Sequence, residues 1–149
     1  MGVLFMNDNM MDKKGIRYNS LKDAFNRLKE VLHEYTINKN KSLEKIFVDA
    51  TIQRFEFTFE LMWKVLKEYM ENVGFSDFAQ GPKGVLKFAL KNGIIDDEQT
   101  YSDMLTDRNS TTHIYDEKLA NQIFENIKER YVKAIEDVIT YLEKEKYLS

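Results

Sequence analysis

Residues 48–73 read VDATIQRFEFTFELMWKVLKEYMENV. Val48, Ile52, Phe55, Phe59, Met62, Leu66, Tyr69 and Val73 recur at alternating spacings of four and three. An α-helix turns about 100° per residue, so this spacing lays one apolar stripe along a helix of about seven turns. Phe57, Leu61, Trp63 and Val65 widen the apolar surface beyond a narrow coiled-coil seam. Such a helix should be covered on more than one side, by a bundle or by a second subunit. Gly74 is the expected stop, because glycine adopts the left-handed conformation without a Cβ penalty.

The same rhythm recurs on either side. Leu21, Phe25, Leu28, Leu32 and Tyr35 form a first stripe, with a helix start expected at Asn19 or Ser20. Asn38 to Lys41 reads as the exposed connection to the long helix. Ala120, Phe124, Ile127, Tyr131, Ala134, Val138 and Tyr141 form a last stripe, capped by Asp116. Between them, Gly81-Pro82-Lys83-Gly84 opens a shorter helix carrying Val85, Leu86, Phe88, Ala89 and Leu90, which ends at Asn92-Gly93. Those two glycines are not a phosphate-binding P-loop, since the longer Gly-rich run and its Lys-Ser/Thr are absent. Asp96 is the expected cap of another short helix that leads Tyr101, Met104 and Leu105 toward Arg108. The fold expected is all-α: an antiparallel up-and-down four-helix bundle with an additional short helix.

Composition narrows the function. Hydrophobic residues at 43%, with ten Phe and eight Tyr, give enough apolar surface for a packed core, unlike a disordered chain. Residues 1–17 read as a flexible N-terminal arm and 18–149 as a single helical domain. The first eleven residues lack the basic start and long apolar core of a signal peptide. No window reaches the roughly 18 apolar residues of a membrane span. The absence of Cys excludes disulfides and thiolate metal sites, and a cytoplasmic location is expected. A formal net charge of −3 argues against broad electrostatic binding to nucleic acid and leaves room for a local site.

Chemistry concentrates in Asp107-Arg108-Asn109-Ser110-Thr111-Thr112-His113. Arg108 offers a planar fork of donors suited to phosphate, and His113 an imidazole that titrates near neutrality. Asn109 can both donate and accept. Five helical steps would place Arg108 and His113 roughly 140° apart, so a site needs a helix end between them, another element or another subunit. If RNA entered, His113 could move a proton at the 2′-hydroxyl or the leaving oxygen while Arg108 stabilised the phosphate, without a metal. The plainer reading pairs Arg108 with Asp107 or Asp103 at a capped helix end. Gln53, Glu56, Glu60 and Lys64 form a polar line on the long helix, whose carboxylates could orient Arg108 or contact a ligand. Arg54 and Tyr115 complete the candidate substrate-binding set. Glu56 and Glu60 alone supply too few oxygens for a firm metal site, so no metal site is expected. His33, in a lysine-rich amphipathic helix, reads as a surface residue.

The segment Gln53 to Lys64, followed by Gly93-Ile94-Ile95-Asp96-Asp97 and then Asp107 to Tyr115, resembles the nucleotidyltransferase substrate-binding protein family, within the HEPN-like superfamily. The resemblance extends from about Tyr18 to Leu142. It implies a dimeric, four-helix-bundle-like subunit that presents a nucleotide or other phosphate-bearing substrate to a separate small nucleotidyltransferase-fold protein. The partner would then carry the divalent metal and nucleoside triphosphate, and this chain no intrinsic cofactor. The resemblance also implies an alternative, since Arg108, Asn109 and His113 fit the Arg-polar-x-x-x-His motif of HEPN ribonuclease toxins. There, paired motifs across a dimer form the RNA-cleaving centre. A third expectation is a structural homodimeric adaptor.

Overall fold

The computed structural model describes residues 2–37, 41–110 and 116–145, with side chains from Arg17 onward except that of Lys41. It contains α1 (Gly2–Ile37), α2 (Lys41–Asn72), α3 (Pro82–Lys91), α4 (Glu98–Ser110), α5 (Glu117–Asn126) and α6 (Val132–Lys144), the last two joined by a π-helical turn, Ile127–Tyr131. No strand occurs among the described residues.

Side-chain contacts fix the directions. Arg17 on α1 pairs with Glu68 on α2, while Arg54 of α2 donates to the Arg27 carbonyl, so α1 and α2 are antiparallel. Tyr35 meets Phe124 and Tyr18 meets Glu143, which sets α1 antiparallel to the α5–α6 helix. Tyr101 donates to the Ala134 carbonyl and Asp107 meets Asn126, so α4 opposes that helix too. The result is the expected up-and-down bundle of α1, α2, α4 and α5–α6, with α3 as the additional short helix.

The four-and-three stripes become the core. Ile52, Phe55, Phe59, Met62 and Leu66 of α2 are fully buried with Leu21 and Leu28 of α1 and Ile123, Ile127 and Tyr131 of the last helix. Two buried threonines on α2 are compatible with this interior because each hydroxyl bonds the carbonyl four residues back, Thr51 to Phe47 and Thr58 to Arg54, both at 2.7 Å. Two members of the expected apolar surface behave differently. Val73 and Phe57 are exposed, Val73 because the helix ends beside it.

Gly74 stops α2 as expected. Its φ of 104°, with Phe75 N–H bonded to Met70 O and Gly74 N–H to Glu71 O, forms a Schellman motif. Pro82 stands in the first turn of α3. Gly84 is required by a close approach, since a Cβ there would lie 2.4 Å from the Ala79 Cβ.

Three boundaries differ from the sequence expectation. The start expected at Asn19 or Ser20 lies inside α1, which is helical from Gly2. No proline interrupts residues 2–20, and lysine, leucine and methionine there are good helix formers. Lys41, expected in a connection, begins α2, while Asn38 to Asn40 lie outside the described residues. Asp97, rather than Asp96, starts α4: its carboxylate accepts the Thr100 N–H at 3.3 Å and hydroxyl at 2.7 Å. Its φ of 68° is one that Asp tolerates better than most residues.

Hydrogen bonding from Thr100 holds the Asp97 carboxyl below its usual range. The folded state therefore favours the carboxylate, so its contribution to stability is present above the unfolded value of 3.8 and is lost as pH falls through the depressed folded value. Thermal melts of wild type and Asp97→Asn between about pH 2 and 6 should converge on acidification, with the gap opening above about pH 4.

Candidate functional site

The Arg108 side chain leaves the last turn of α4 toward α2. Its Nη1 lies 3.6 Å from Glu56 Oε2 and its Nε 3.5 Å from Glu60 Oε1. Glu56 and Glu60 are one turn apart, so both carboxylates of the polar line face the same guanidinium. These separations exceed the 2.7–2.9 Å or so of a tight charge-assisted hydrogen bond, which makes them orienting ion pairs. Glu60 is itself steadied by Trp63, whose indole N–H donates at 3.3 Å, and by Lys64 at 3.9 Å. About a quarter of the Arg108 side chain, 27%, stays open to solvent.

Both aspartates that precede Arg108 on α4 are engaged by the last helix. Asp107 accepts the Tyr131 hydroxyl at 2.5 Å and the Asn126 amide at 3.0 Å. Asp103 accepts Arg130 at 2.8 Å, and the same guanidinium nitrogen reaches the Thr100 hydroxyl at 3.1 Å. The π-helical turn carries Arg130 and Tyr131, with the Val132 N–H bonded to Ile127 O five residues back. Its wider winding puts these successive side chains against successive turns of α4. Burial, then the bond to Asp107, pushes the Tyr131 hydroxyl pKa well above its usual value. The bond to Asp103 likewise raises Arg130. Both groups remain hydrogen-bond donors at neutral pH.

This clamp predicts a measurable cost for removing one oxygen. Tyr131→Phe keeps the ring stacked on Phe55 at 5.3 Å but leaves Asp107 with one donor fewer. Hydrogen bonds to charged groups contribute about 1.5–3 kcal/mol, and urea unfolding of the variant should show a loss in that range.

The candidate residues thus divide. Arg108, Glu56 and Glu60 come together. Arg54 does not join them, since its guanidinium donates to Arg27 O on α1 at 2.7 Å. Asn109 is exposed on another side of α4, where it lines an open groove of about 460 Å³ between α3 and α4. His113 and Tyr115 lie outside the described residues. His33 is exposed on α1. Among the described residues, no group of three or more His, Cys, Asp or Glu side chains is placed to hold a metal ion. No helix there is long and apolar enough to cross a membrane. Sequence reasoning missed the Thr100–Asp103–Asp107 face and its partners Arg130 and Tyr131. Their spacing of three and four on α4 was the available signal.

The model of the family described as nucleotidyltransferase substrate binding protein like matches residues 16–144. A protein of Haemophilus influenzae named as a probable ribonuclease HepT is 31% identical over 98 residues, which is 62% of this chain and 65% of that relative's own length. A solved Haemophilus influenzae structure, described as the fold of a substrate-binding domain of a nucleotidyltransferase, superposes with a TM-score of 0.75 at 24% identity, covering 85% of this chain and 98% of that one. That likeness establishes the shared fold. A crystal structure of a Thermus thermophilus protein gives a TM-score of 0.69 at 35% identity, covering 82% of this chain and 98% of its own. With the match running from the middle of α1 to the last residue of α6, the chain belongs to the nucleotidyltransferase substrate-binding protein-like family, and its HepT relative is in keeping with the HEPN-like relation.

Proposed function

We propose that this chain is the non-transferring, substrate-binding subunit of a two-component nucleotidyltransferase system, and that the Arg108 end of α4 binds the phosphate of a nucleotide or nucleic acid. One observation carries this reading: Arg108 is aimed by Glu56 and Glu60 yet remains reachable from solvent. A guanidinium fork held in one orientation is suited to planar recognition of phosphate oxygens. The divalent metal and nucleoside triphosphate belong, on this reading, to the separate nucleotidyltransferase-fold partner.

The subunit acts as a homodimer. Ile46 and Phe57 on α2 are 62% and 63% exposed, and Leu43 is also exposed. Half-buried Ala50 and Leu61 continue the same helical strip. Glu60 is three residues from Phe57, so a partner seated on this strip borders the Arg108 cluster and brings two copies of it close together. The mass in solution should be that of a dimer.

The test is copurification with a nucleotidyltransferase-fold protein encoded beside it, then transfer assays with each component omitted. Transfer that needs both chains supports the reading. No complex, and transfer unaltered by this chain, would overturn it.

The ribonuclease relative favours a second reading, a metal-independent RNA-cleaving toxin restrained by the same partner. Arg108 would stabilise the phosphate, Asn109 would orient it and His113 would move the proton. RNA cleavage that persists in chelator and is lost in Arg108→Ala and His113→Ala would establish this activity.

A further inference from the structure

The groove between α3 and α4 has an apolar floor and one basic lip. Leu86 and Tyr101 are buried at its base, and half-buried Leu90 and Leu105 stand open to it. The Tyr101 hydroxyl is spent on the Ala134 carbonyl, which leaves its ring to line the groove. Every charged residue of α3 is a lysine, and Lys83, Lys87 and Lys91 follow one another at i, i+4 and i+8, all exposed along one side of the helix. The α4 lip is uncharged at Ser102, Thr106 and Asn109 and carries one acid, Glu98. From Glu98 to Asn109 the groove runs about three helical turns, and its Asn109 end adjoins Arg108.

We infer that this groove is the docking site for an acidic amphipathic helix of the separate nucleotidyltransferase-fold partner, with apolar side chains on the floor and carboxylates over the α3 lysines. This rests on the two-component reading and names the face of this chain that the partner grips. An amphipathic helix lays apolar anchors at i, i+4 and i+7 into a groove of this kind, and about three turns give room for three of them. Charge sets how that helix lies. Its acidic flank meets the lysine row of α3, and its other flank meets the hydroxyls and carboxamide of α4 and the single carboxylate of Glu98. A second copy of this chain is a poorer occupant. A two-fold pairing through this face sets one lysine row against another, and like charges oppose the contact. Position agrees with chemistry: a helix seated as far as Asn109 brings the body of the transferase to the Arg108 end, where the phosphate is held.

The experiment titrates the full chain against the nucleotidyltransferase-fold protein encoded beside it, by calorimetry at about 0.1 M and about 0.5 M salt. Wild type is compared with Lys83→Glu/Lys87→Glu and with Ser102→Trp. All three positions are exposed, so circular dichroism and the solution mass of each variant should match wild type. The lysine reversal should weaken the complex at least about tenfold at the lower salt and by less at the higher, because it places like charges on the rim and salt screens them. Ser102→Trp should weaken it by about tenfold or more at both salts, because the indole clashes with the docked helix. If both variants bind the partner as tightly as wild type, the groove assignment is wrong and the two-component reading stands. If the wild-type chains form no complex, that reading and the groove assignment fall together. If the lysine reversal changes the mass of this chain alone, the groove is a contact between copies and the assignment is again wrong.

Discussion

Phe55→Ala is expected to lower the stability of the fold by about 3–5 kcal/mol, the range for removing a fully buried Phe. Phe55 has no exposed surface, stacks on Tyr131 at 5.3 Å and lies 6.1 Å from the Phe59 ring. Truncation therefore opens a cavity at the centre of the bundle, where α2 meets the last helix. For a chain of this size the midpoint of thermal unfolding should fall by roughly 6–20 °C. The loss should not add simply to that of Tyr131→Phe. Phe55 supports the ring whose hydroxyl holds Asp107, and neighbouring residues couple. Thermal and urea unfolding of the two single variants and the double variant measure the coupling. A loss below about 1 kcal/mol in Phe55→Ala would contradict the packing described for this position.

Arg108→Ala should separate function from folding. Its contacts with Glu56 and Glu60 are long and partly exposed, and pairs of that kind contribute about 0–1 kcal/mol. The variant should fold nearly as well as wild type. Its effect on phosphate binding is expected to be at least tenfold, because the fork of donors is removed while the two carboxylates remain and repel the ligand. Arg108→Lys should recover only part of the loss, since an ammonium restores the charge without the bidentate geometry. Titration with ligand beside an unfolding curve makes the comparison. Unchanged binding, or a fall in binding matched by a fall in stability, would mean that Arg108 serves the bundle alone.

The contrast between these two positions reflects how each was encoded. Phe55 lies in a stripe repeated over about seven turns, and a period of that length is hard to satisfy except as a helix with one buried face. The Gly74 stop, the Pro82 start and the Asp116 cap follow from single-residue backbone chemistry and were readable for the same reason. The cap of α4 was misplaced by one residue because Asp96 and Asp97 are chemically identical. Only the bond from Thr100, three residues beyond Asp97, distinguishes them.

Partner choice was a different problem. Arg108 had three kinds of acid within reach of a sequence argument: Asp107, Asp103, and the Glu56–Glu60 line. The π-helical turn decided among them, because Arg130 and Tyr131 occupy Asp103 and Asp107 and so leave the guanidinium facing α2. A one-residue widening of a helix has no periodic signature in a stripe that otherwise reads four and three. Arg54, placed with Arg108 in the candidate substrate-binding set, faces α1, since it lies about 160° around α2 from Glu56 only two residues away.

Local periodicity and backbone chemistry in the amino-acid order thus settled the helices, their apolar faces and the all-α class, since each depends on residues within a few turns of one another. The grouping of Arg108 with Glu56 and Glu60, the clamp of Asp107 by Tyr131 and the groove between α3 and α4 arise only when helices distant in sequence pack together. Side-chain reach across an interface depends on the rotation and register of both helices, and a single residue of altered winding changes which polar groups meet.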